Sequence, residues 1–346
     1  FNTSGKSVTL KSNGSSIYTI TRGSGLTSGS IINFYNSSTT TVTNIKFNGN
    51  NVSSNKPLLI SSGSATVNLN SGVTIQNALN TAAYSGGGFG VVSGSKLNIN
   101  GATITSNKSN NQGAGVYVSD ASLDFNSGTI SNNSFTTSNG SGAGILGWQS
   151  TVNIKGGTIS GNTATSEGGG IWVGGNSGKM TFNMTAGTIT GNKAYFGGGI
   201  SIRSDTTATK TIGTISGGTI SSNNASHGGG GVNLGKSVVT INNINITSNN
   251  AQWGAGISIT YGATLYFKGG TVQNNIASSS AAGIDVGSGT EGGPNHLYIQ
   301  GGNVINNKCT VSTGIGGINV NTSSGSTYTH SSGTVSGNIP NNTGSW

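Results

Sequence analysis

A short motif recurs along the whole chain and constrains its fold more than any other feature. The motif is an apolar residue, two small polar residues and an asparagine, and a regular copy lies in GGTISGNTATSEGGGIWV, residues 156–173. About eleven copies of one unit indicate a repeat architecture. The apolar residue recurs every 26 to 32 residues, at Ile45, Ile75, Ile104, Ile130, Ile159, Ile189, Ile220, Ile246, Val272, Val304 and Val335.

Each repeat contains three short alternating runs, separated by glycine and asparagine. In the copy quoted above and the residues that follow it, the runs are 158–160, 171–173 and 180–184. Such runs predict strands, and a period of this length made of strands alone predicts a parallel solenoid. We therefore predict an all-β fold, a single-stranded parallel β-helix of about eleven three-stranded coils. It forms one domain over 1–346, with irregular first coils at 1–40, regular repeats at 41–340 and a C-terminal tail at 341–346.

Stacking of equivalent strands predicts a core of like residues in columns. Strands stack about 4.8 Å apart, so eleven coils give a rod of roughly 50 Å. The predicted inward residues are, for the first strand of the repeat, Ile104, Ile130, Ile159, Ile189 and Ile220; for the second, Val116, Ile145, Ile171, Ile200 and Val232; and for the third, Leu97, Leu123, Val152 and Phe182.

An asparagine follows the first strand in nearly every repeat. Asparagine at a turn can bond the backbone and tolerate a left-handed conformation, and stacked copies can bond one another. We interpret the column as structural. Its members are Asn107, Asn133, Asn162, Asn192, Asn223, Asn249, Asn275, Asn307 and Asn338, with Ala78 where the Ile75 repeat should carry asparagine.

The charge pattern argues against several classes of partner. Charged residues are only 6% of the chain, and the net charge of +9 is spread without a run of basic residues. This distribution does not predict nucleic-acid binding. No apolar stretch reaches the roughly 20 residues of a membrane helix, so we expect no membrane insertion. The chain begins at Phe1 rather than Met, which fits a processed secreted protein or a segment of a longer one.

The glycine triplets before the second strand, as in GGGI, and the ISGN-type motifs carry a family resemblance. They resemble the GGA[IL] and FxxN repeats of chlamydial polymorphic outer-membrane proteins and of adhesin-like surface proteins of bacteria and archaea. The resemblance covers roughly residues 40–340. It implies a right-handed parallel β-helix that is secreted or displayed at the cell surface, often in adhesion.

Many parallel β-helices are polysaccharide hydrolases or lyases, which need clustered carboxylates. We find no such cluster: Asp120 and Asp124 share a coil without partners in neighbouring coils, and Asp205 and Asp285 lie roughly 15 Å apart. Glu167 and His227 both precede glycine triplets, but two coils separate them, or about 10 Å. His296 and His330 have no companions at ligand spacing. We therefore predict no enzyme, no cofactor and no metal site. The six acidic residues are Asp120, Asp124, Glu167, Asp205, Asp285 and Glu291.

The lone cysteine has a simple interpretation. Cys309 stands two residues after a column asparagine, where other repeats carry Ala164, Ala194 or Ala225. We predict a small buried hydrophobic residue rather than a reactive thiol.

Surface residues remain the candidates for contacts. Tyr117, Leu146 and Trp172 occupy the outward position of the second strand in successive coils and predict an exposed apolar strip, while Tyr266 and Tyr298 stack similarly on the third strand. Such strips mark protein or glycan contacts, although structural stacking alone can explain them. The outward threonines of the first strand, which also suggest an ice-binding face, are Thr103, Thr129, Thr158, Thr188 and Thr219.

Both ends of the rod lack an evident cap. A solenoid exposes strand edges there, which predicts either a longer solenoid or end-to-end pairing of subunits. We expect an extracellular, non-enzymatic structural protein that assembles with copies of itself into a surface filament or sheath. The main alternative is a monomeric or cell-anchored adhesin for a host protein or glycan. Ice binding and polysaccharide cleavage are remote alternatives.

Overall fold

Parallel strands wind into a β-solenoid of about eleven turns, as the repeat predicts. The structure is a computed structural model, and it describes residues 5–14, 16–82, 85–176, 180–206, 209–287 and 292–345. Within these ranges the one helical element is a single 3-10 turn at Thr322–Ser324. Every strand pairing in the described chain is parallel, because each turn lays its strands on those of the turn before.

The second strand of each turn belongs to a sheet of 12 strands, which we call the second ladder. Its members follow the glycine-rich corners of the sequence. They are Ile32–Phe34, Leu59–Ser61, Phe89–Val92, Val116–Ser119, Ile145–Trp148, Ile171–Gly175, Ile200–Ser204, Val232–Gly235, Ile257–Thr260, Ile284–Val286, Ile318–Val320 and Thr343–Ser345.

The first and third strands form two further ladders within one sheet of 20 strands. Four strands run without a break from the third ladder into the first, and these are Lys96–Thr105, Ser122–Ser131, His296–Ile305 and Thr327–Ser336. The first ladder also contains Tyr18–Thr21, Ile45–Asn48, Thr74–Gln76, Thr158–Ser160, Thr188–Thr190, Thr219–Ser221, Asn245–Thr247 and Thr271–Gln273. The third also contains Ser7–Lys11, Thr39–Thr43, Thr66–Asn70, Thr151–Ile154, Thr181–Met184, Thr211–Ile215, Ser237–Ile241 and Thr264–Phe267.

A fourth, short ladder follows the asparagine column, and the repeat pattern does not predict it. Most of its strands have two residues, too few for an alternating pattern to be visible in sequence. It is divided into two groups, Ser53–Ser54, Leu79–Asn80, Lys108–Ser109 and Ser134–Phe135, then Lys193–Ala194, Asn224–Ala225, Asn250–Trp253, Ile276–Ser280 and Lys308–Cys309. Single bridges at Thr163 join the two groups.

The register of the first ladder corrects one alignment from the sequence. Ile75 pairs with Phe47, two residues after Ile45, and Ile45 pairs instead with Tyr18. Ile45, Phe47 and Ile75 are all buried, so hydrophobicity alone could not choose between the two registers. The strand Ile45–Asn48 alternates with period two, and both isoleucine and phenylalanine fit the inward face.

The core is a column of side chains inside the three ladders. The predicted inward residues of all three strands are completely buried, from Leu97 to Val232. They belong to one continuous hydrophobic cluster that extends from Phe34 to Val320. Parallel stacking therefore brings each apolar residue onto its equivalent in the next turn. Strands too short to bury their own apolar side chains are in this way buried by their neighbours.

Candidate functional site

The asparagine column forms a continuous hydrogen-bonded ladder inside the solenoid. In a typical step, Nδ2 of Asn133 donates to Oδ1 of Asn162 at 2.9 Å, and the same oxygen accepts the backbone N–H of Asn133 at 3.0 Å. Nδ2 of Asn133 also donates to the carbonyl oxygen of Ile104 at 3.2 Å. The ladder starts at the backbone N–H of Ala78, which donates to Asn107, and finishes at Asn342, which accepts from Asn338.

The left-handed conformation lies one residue before each column asparagine, and not at the asparagine itself. Asn132 has φ of 55° and Ser106 has φ of 57°, while Asn107 and Asn133 are not among the residues with positive φ. This turn directs the column side chain inward, where all its polar atoms are needed for the ladder. The column is thus a buried structural device with no surface available to a ligand.

The expected apolar strip on the second ladder is buried rather than exposed. Tyr117, Leu146 and Trp172 do stack in register, but their exposed fractions are only 7%, 1% and 7%. They form a small hydrophobic cluster against which Trp148 packs. No partner could use them as an exposed strip without displacing the residues that cover them.

A reverse turn at the glycine triplet explains this burial. Gly168 has φ of 65°, and a Cβ there would lie 2.3 Å from the carbonyl oxygen of Ile171 and 2.8 Å from Cβ of Trp172. The chain before the triplet therefore folds back across the outward face of the second ladder. Glu167, immediately before the turn, lies over Trp172. Alternation along a strand predicts only which face a side chain is on, so it cannot predict that another segment covers that face.

Glu167 is the polar centre of this covered face. Its Oε2 accepts hydrogen bonds from Nε1 of Trp172 at 3.1 Å and from Oγ of Ser201 at 2.9 Å. Its Oε1 lies 2.6 Å from Nη1 of Arg203 in an ion pair. The Arg203 guanidinium in turn lies 4.8 Å from the ring centroid of Tyr261. Both carboxylate oxygens are occupied, so this group acts as a structural acceptor.

A cleft opens beside Glu167, close to a position of the second ladder that lacks a side chain. Gly174 pairs with Trp148 on one side and with Arg203 on the other. The Trp148 and Trp172 rings stack nearly parallel, with centroids 5.9 Å apart and an interplanar angle of 11°. The cleft has a volume of about 270 Å³ and is lined by Gln112, Ser141, Leu146, Trp148, Glu167, Trp172, Arg203 and Asp205. Trp172 and Glu167 are candidates from the sequence, but the sequence does not predict that Trp148, Arg203 and Asp205 lie beside them.

Asp124 has partners in both neighbouring turns, contrary to the sequence analysis. Its Oδ2 lies 3.0 Å from Nζ of Lys96 and 3.1 Å from Nζ of Lys155, and Nδ2 of Asn153 donates to its Oδ1 at 2.7 Å. Burial raises the pKa of the Asp124 carboxyl, but the hydrogen bonds from Asn153, Lys96 and Lys155 outweigh it and leave the pKa below its ordinary value. Asp120 is exposed at a corner.

Asp285 is a buried carboxyl on the second ladder, three turns from Asp205. Nδ2 of Asn319 donates to its Oδ1 at 3.2 Å. Burial raises the pKa of Asp285 to about 6, against the smaller opposing effect of that hydrogen bond. Glu291 lies outside the described residues. Among the described residues, no three His, Cys, Asp or Glu side chains come together in a way that could hold a metal ion.

His227 belongs to an aromatic cluster rather than to a dyad with Glu167. Its ring stacks on Tyr195 at 3.6 Å between centroids, and Nε2 lies 2.5 Å from Oη of Tyr195. Phe196 and Trp253 contact it at 5.8 and 5.4 Å. The sequence signal for this cluster is an aromatic residue at the glycine-rich corner in consecutive repeats, as at Phe196, His227 and Trp253.

The other outward side chains stack on their equivalents in neighbouring turns. Tyr266 and Tyr298 stack with centroids 4.9 Å apart and an angle of 12°, and both are half-buried. The predicted threonines pair in register from Thr103 to Thr219, and Asn245 takes the same place in the next turn. His296 lies against Thr327, and His330 takes the inward position opposite Ile299 in the last turn.

Cys309 is buried among small residues, as predicted. It lies in a cluster with Ala225, Ala251 and Ala277, at the alanine position of the short ladder.

Comparisons with known proteins return no match. No family model matches the chain, no curated protein matches it, and no solved structure matches it. Among the described residues, no helix has the length and apolar character that crossing a bilayer requires.

Proposed function

We propose that this chain is an extracellular, non-enzymatic structural protein whose copies stack end to end into a filament or sheath. The last turn carries the proposal. Its strand Thr327–Ser336 pairs with His296–Ile305 in both ladders, with an irregularity where the strand passes from one ladder to the other. In the described chain nothing pairs with its other edge. An edge in this state offers backbone donors and acceptors to another parallel strand.

The first turn offers a complementary edge. Among the described residues, Ser7–Lys11 and Tyr18–Thr21 pair on one side only, with Thr39–Thr43 and Ile45–Asn48. In register, Tyr328 and Val335 of one copy would extend the core columns that Val8 and Ile20 begin in the next copy. Stacking would thus continue the ladders that already hold the rod together.

Among the described residues, apolar side chains line a cavity at the first turn and another at the last, which supports the same proposal. A cavity of about 360 Å³ at the first turn is lined by Val8, Leu10, Ile20, Ile31, Ile32 and Phe34, among others. Another of about 470 Å³ at the last turn includes Val320, Tyr328 and Thr343. Covering these apolar surfaces with another turn removes them from water, a gain of about 25 cal/mol for each Å².

Two features support an extracellular, non-enzymatic role. The resemblance of the GGGI and ISGN motifs to adhesin-like surface proteins fits display outside the cell. The carboxylates of the described chain are scattered or engaged: Asp124 is held by two lysines, Glu167 by Arg203, and Asp285 is three turns from Asp205.

A second candidate function is adhesion through the flank of the rod. The observation that favours it is the cleft beside Trp148 and Trp172, which combines aromatic and polar groups. Since Tyr117 and Leu146 are covered, the cleft replaces the apolar strip as the place where a glycan could be recognised.

Electron microscopy and sedimentation of the purified chain over a range of concentrations test the stacking proposal. We expect rods whose lengths are multiples of about 50 Å, growing with concentration. The variant Val335→Lys puts a charge into the inward column at the last edge and should leave single rods, since an unpaired charge in an apolar contact is costly.

Val311→Lys is the matched control, because Val311 is exposed on the flank. It should assemble like the original chain. Single rods of the original chain at every concentration, or assembly unchanged by Val335→Lys, would refute the proposal.

A further inference from the structure

The flank cleft gathers residue types that are scarce in the rest of the sequence. The whole chain has 6 acidic residues, two arginines and 4 tryptophans. Two of those acids, one arginine and two of the tryptophans line this cleft, namely Glu167, Asp205, Arg203, Trp148 and Trp172. The repeat does not need Trp148 or Arg203 for its core, since the position that they share in the second ladder holds serine, glycine or threonine in other turns.

The cleft spans neighbouring turns of the second ladder. Trp148 and Arg203 lie two turns apart, about 10 Å, with Gly174 between them. A Cβ at position 174 would lie 1.8 Å from the carbonyl oxygen of Arg203 and 2.7 Å from the Trp172 ring, so there is no room for a side chain at this position. The volume of about 270 Å³ is slightly below that of clefts for drug-sized ligands, roughly 300–1,000 Å³, and suits one or two small rings.

The charges of the cleft favour a ligand without net charge. Arg203 is neutralised by Glu167, and its guanidinium also lies over Tyr261. In the part of the chain that the structure describes, no basic side chain forms an ion pair with the exposed Asp205 carboxylate. Nζ of Lys236 donates to the carbonyl oxygen of Asp205 at 3.4 Å and offsets the negative charge of Asp205, so the cleft has little net charge to attract an ion. The absence of a cluster of three ligating side chains in the same residues disfavours metal cations.

The hydrogen-bonding groups of the cleft suit hydroxyl groups. The Asp205 carboxylate accepts, the Gln112 amide both donates and accepts, and a hydroxyl can complete either bond. Nε of Arg203 is a buried donor without a partner among the described residues. Sugar rings pair such hydroxyls with C–H faces, and the negative face of an indole attracts C–H groups.

We propose that this cleft binds a residue of a neutral glycan, with the partly exposed indole of Trp148, which stacks on the buried Trp172, against the sugar ring and with Asp205 and Gln112 bonded to its hydroxyl groups. The site lies on the flank, so it operates on single rods and on stacked ones alike. Glu167 positions Trp172 and Arg203 and is a positioning residue here.

Titration of the full chain with neutral oligosaccharides of glucose, mannose, galactose and N-acetylglucosamine tests the proposal, followed by tryptophan fluorescence and by saturation-transfer NMR. We expect saturable binding of at least one of them. Trp148→Ala should weaken it at least tenfold and Asp205→Asn several-fold. Trp253→Ala, which removes an indole of the His227 cluster, should leave the affinity unchanged.

Thermal melts establish whether each variant folds. If Trp148→Ala does not fold, the affinity of Asp205→Asn alone tests the proposal. Repeating the titration on Val335→Lys separates this proposal from end-to-end stacking. The proposal fails if no neutral oligosaccharide binds saturably, if both cleft variants bind as well as the original chain, or if oligogalacturonate, an anionic probe, binds more tightly. Release of shorter sugars on incubation would also overturn it, in favour of catalysis.

Discussion

Nε1 of Trp172 donates a hydrogen bond to Oε2 of Glu167 over 3.1 Å, across the reverse turn at Gly168. The second oxygen of the same carboxylate pairs with Arg203 in the following turn of the solenoid. Glu167 therefore joins two turns through side chains, in addition to the backbone bonds between them.

Removing this carboxylate should destabilise the turns around it. Glu167→Ala leaves the Trp172 indole, the Ser201 hydroxyl and the Arg203 guanidinium without their acceptor, which should cost about 2 kcal/mol or more. Glu167→Gln keeps one carbonyl acceptor and should cost less. Native-state hydrogen exchange should report faster opening of residues 171–175 and 200–204, since repeat proteins open locally. Unchanged exchange in both variants would contradict this assignment.

The asparagine ladder should contribute strongly to stability. Asn192 accepts from the N and Nδ2 of Asn162 at 3.0 and 2.9 Å and donates to Ile159 and Asn223 at 3.0 Å each. Asn192→Ala removes four buried bonds, and at roughly 1 kcal/mol each the loss should be about 2–4 kcal/mol. Asn224→Ala, at an exposed position one turn further on, is the matched control. Thermal unfolding should distinguish them, and equal melting temperatures would show that the ladder adds nothing.

Asp124 should make stability fall in acid. Because its folded-state pKa is depressed, the contribution is present above about pH 4, the unfolded value, and is lost as the pH falls through the lower folded value. Lys96 and Lys155 are 44% and 47% exposed, so each ion pair should contribute at most about 1 kcal/mol. Melting temperatures from pH 2 to 6 should decline less steeply in Asp124→Asn than in the original chain. Parallel curves would contradict this prediction.

Asp285 should have the opposite dependence on pH. Its folded-state pKa of about 6 is above the unfolded value, so its contribution is fully present below about pH 4 and is lost as the pH rises to about 6. The loss should be about 2–3 kcal/mol. Asp285→Asn stays neutral and should be more stable than the original chain at pH 7 but not at pH 4. Denaturant unfolding at pH 4 and at pH 7 measures the free energy of unfolding of both proteins. Equal stability of the variant and the original chain at pH 7 would refute the prediction.

The core could be predicted from the sequence because its determinants are local. Alternation along a strand places Ile104 or Val232 on one face, and the repeat stacks each such residue on its equivalent. Turn lengths of 26 to 32 residues do not disturb this, since the extra residues lie between strands. Ile45 was misaligned because Phe47, two residues later, is an equally good inward residue.

The flank could not be predicted in the same way. Whether Leu146 is exposed depends on where the chain goes after a reverse turn, and the alternating pattern contains no such information. Arg203 meets Glu167 from 36 residues away, and Lys96 and Lys155 meet Asp124 from opposite sides. These contacts depend on corner geometry and on side-chain reach, which differ from turn to turn.

The asparagine ladder also bears on how such a protein can evolve. Each asparagine bonds the next through the same pair of atoms, so duplication or excision of one complete period leaves every remaining amide facing another amide. Loss of a single residue from a strand would instead turn its core side chains toward solvent. Changes of length are therefore tolerated in whole periods, each altering the rod by about 4.8 Å, and genes for longer and shorter relatives can arise by tandem duplication.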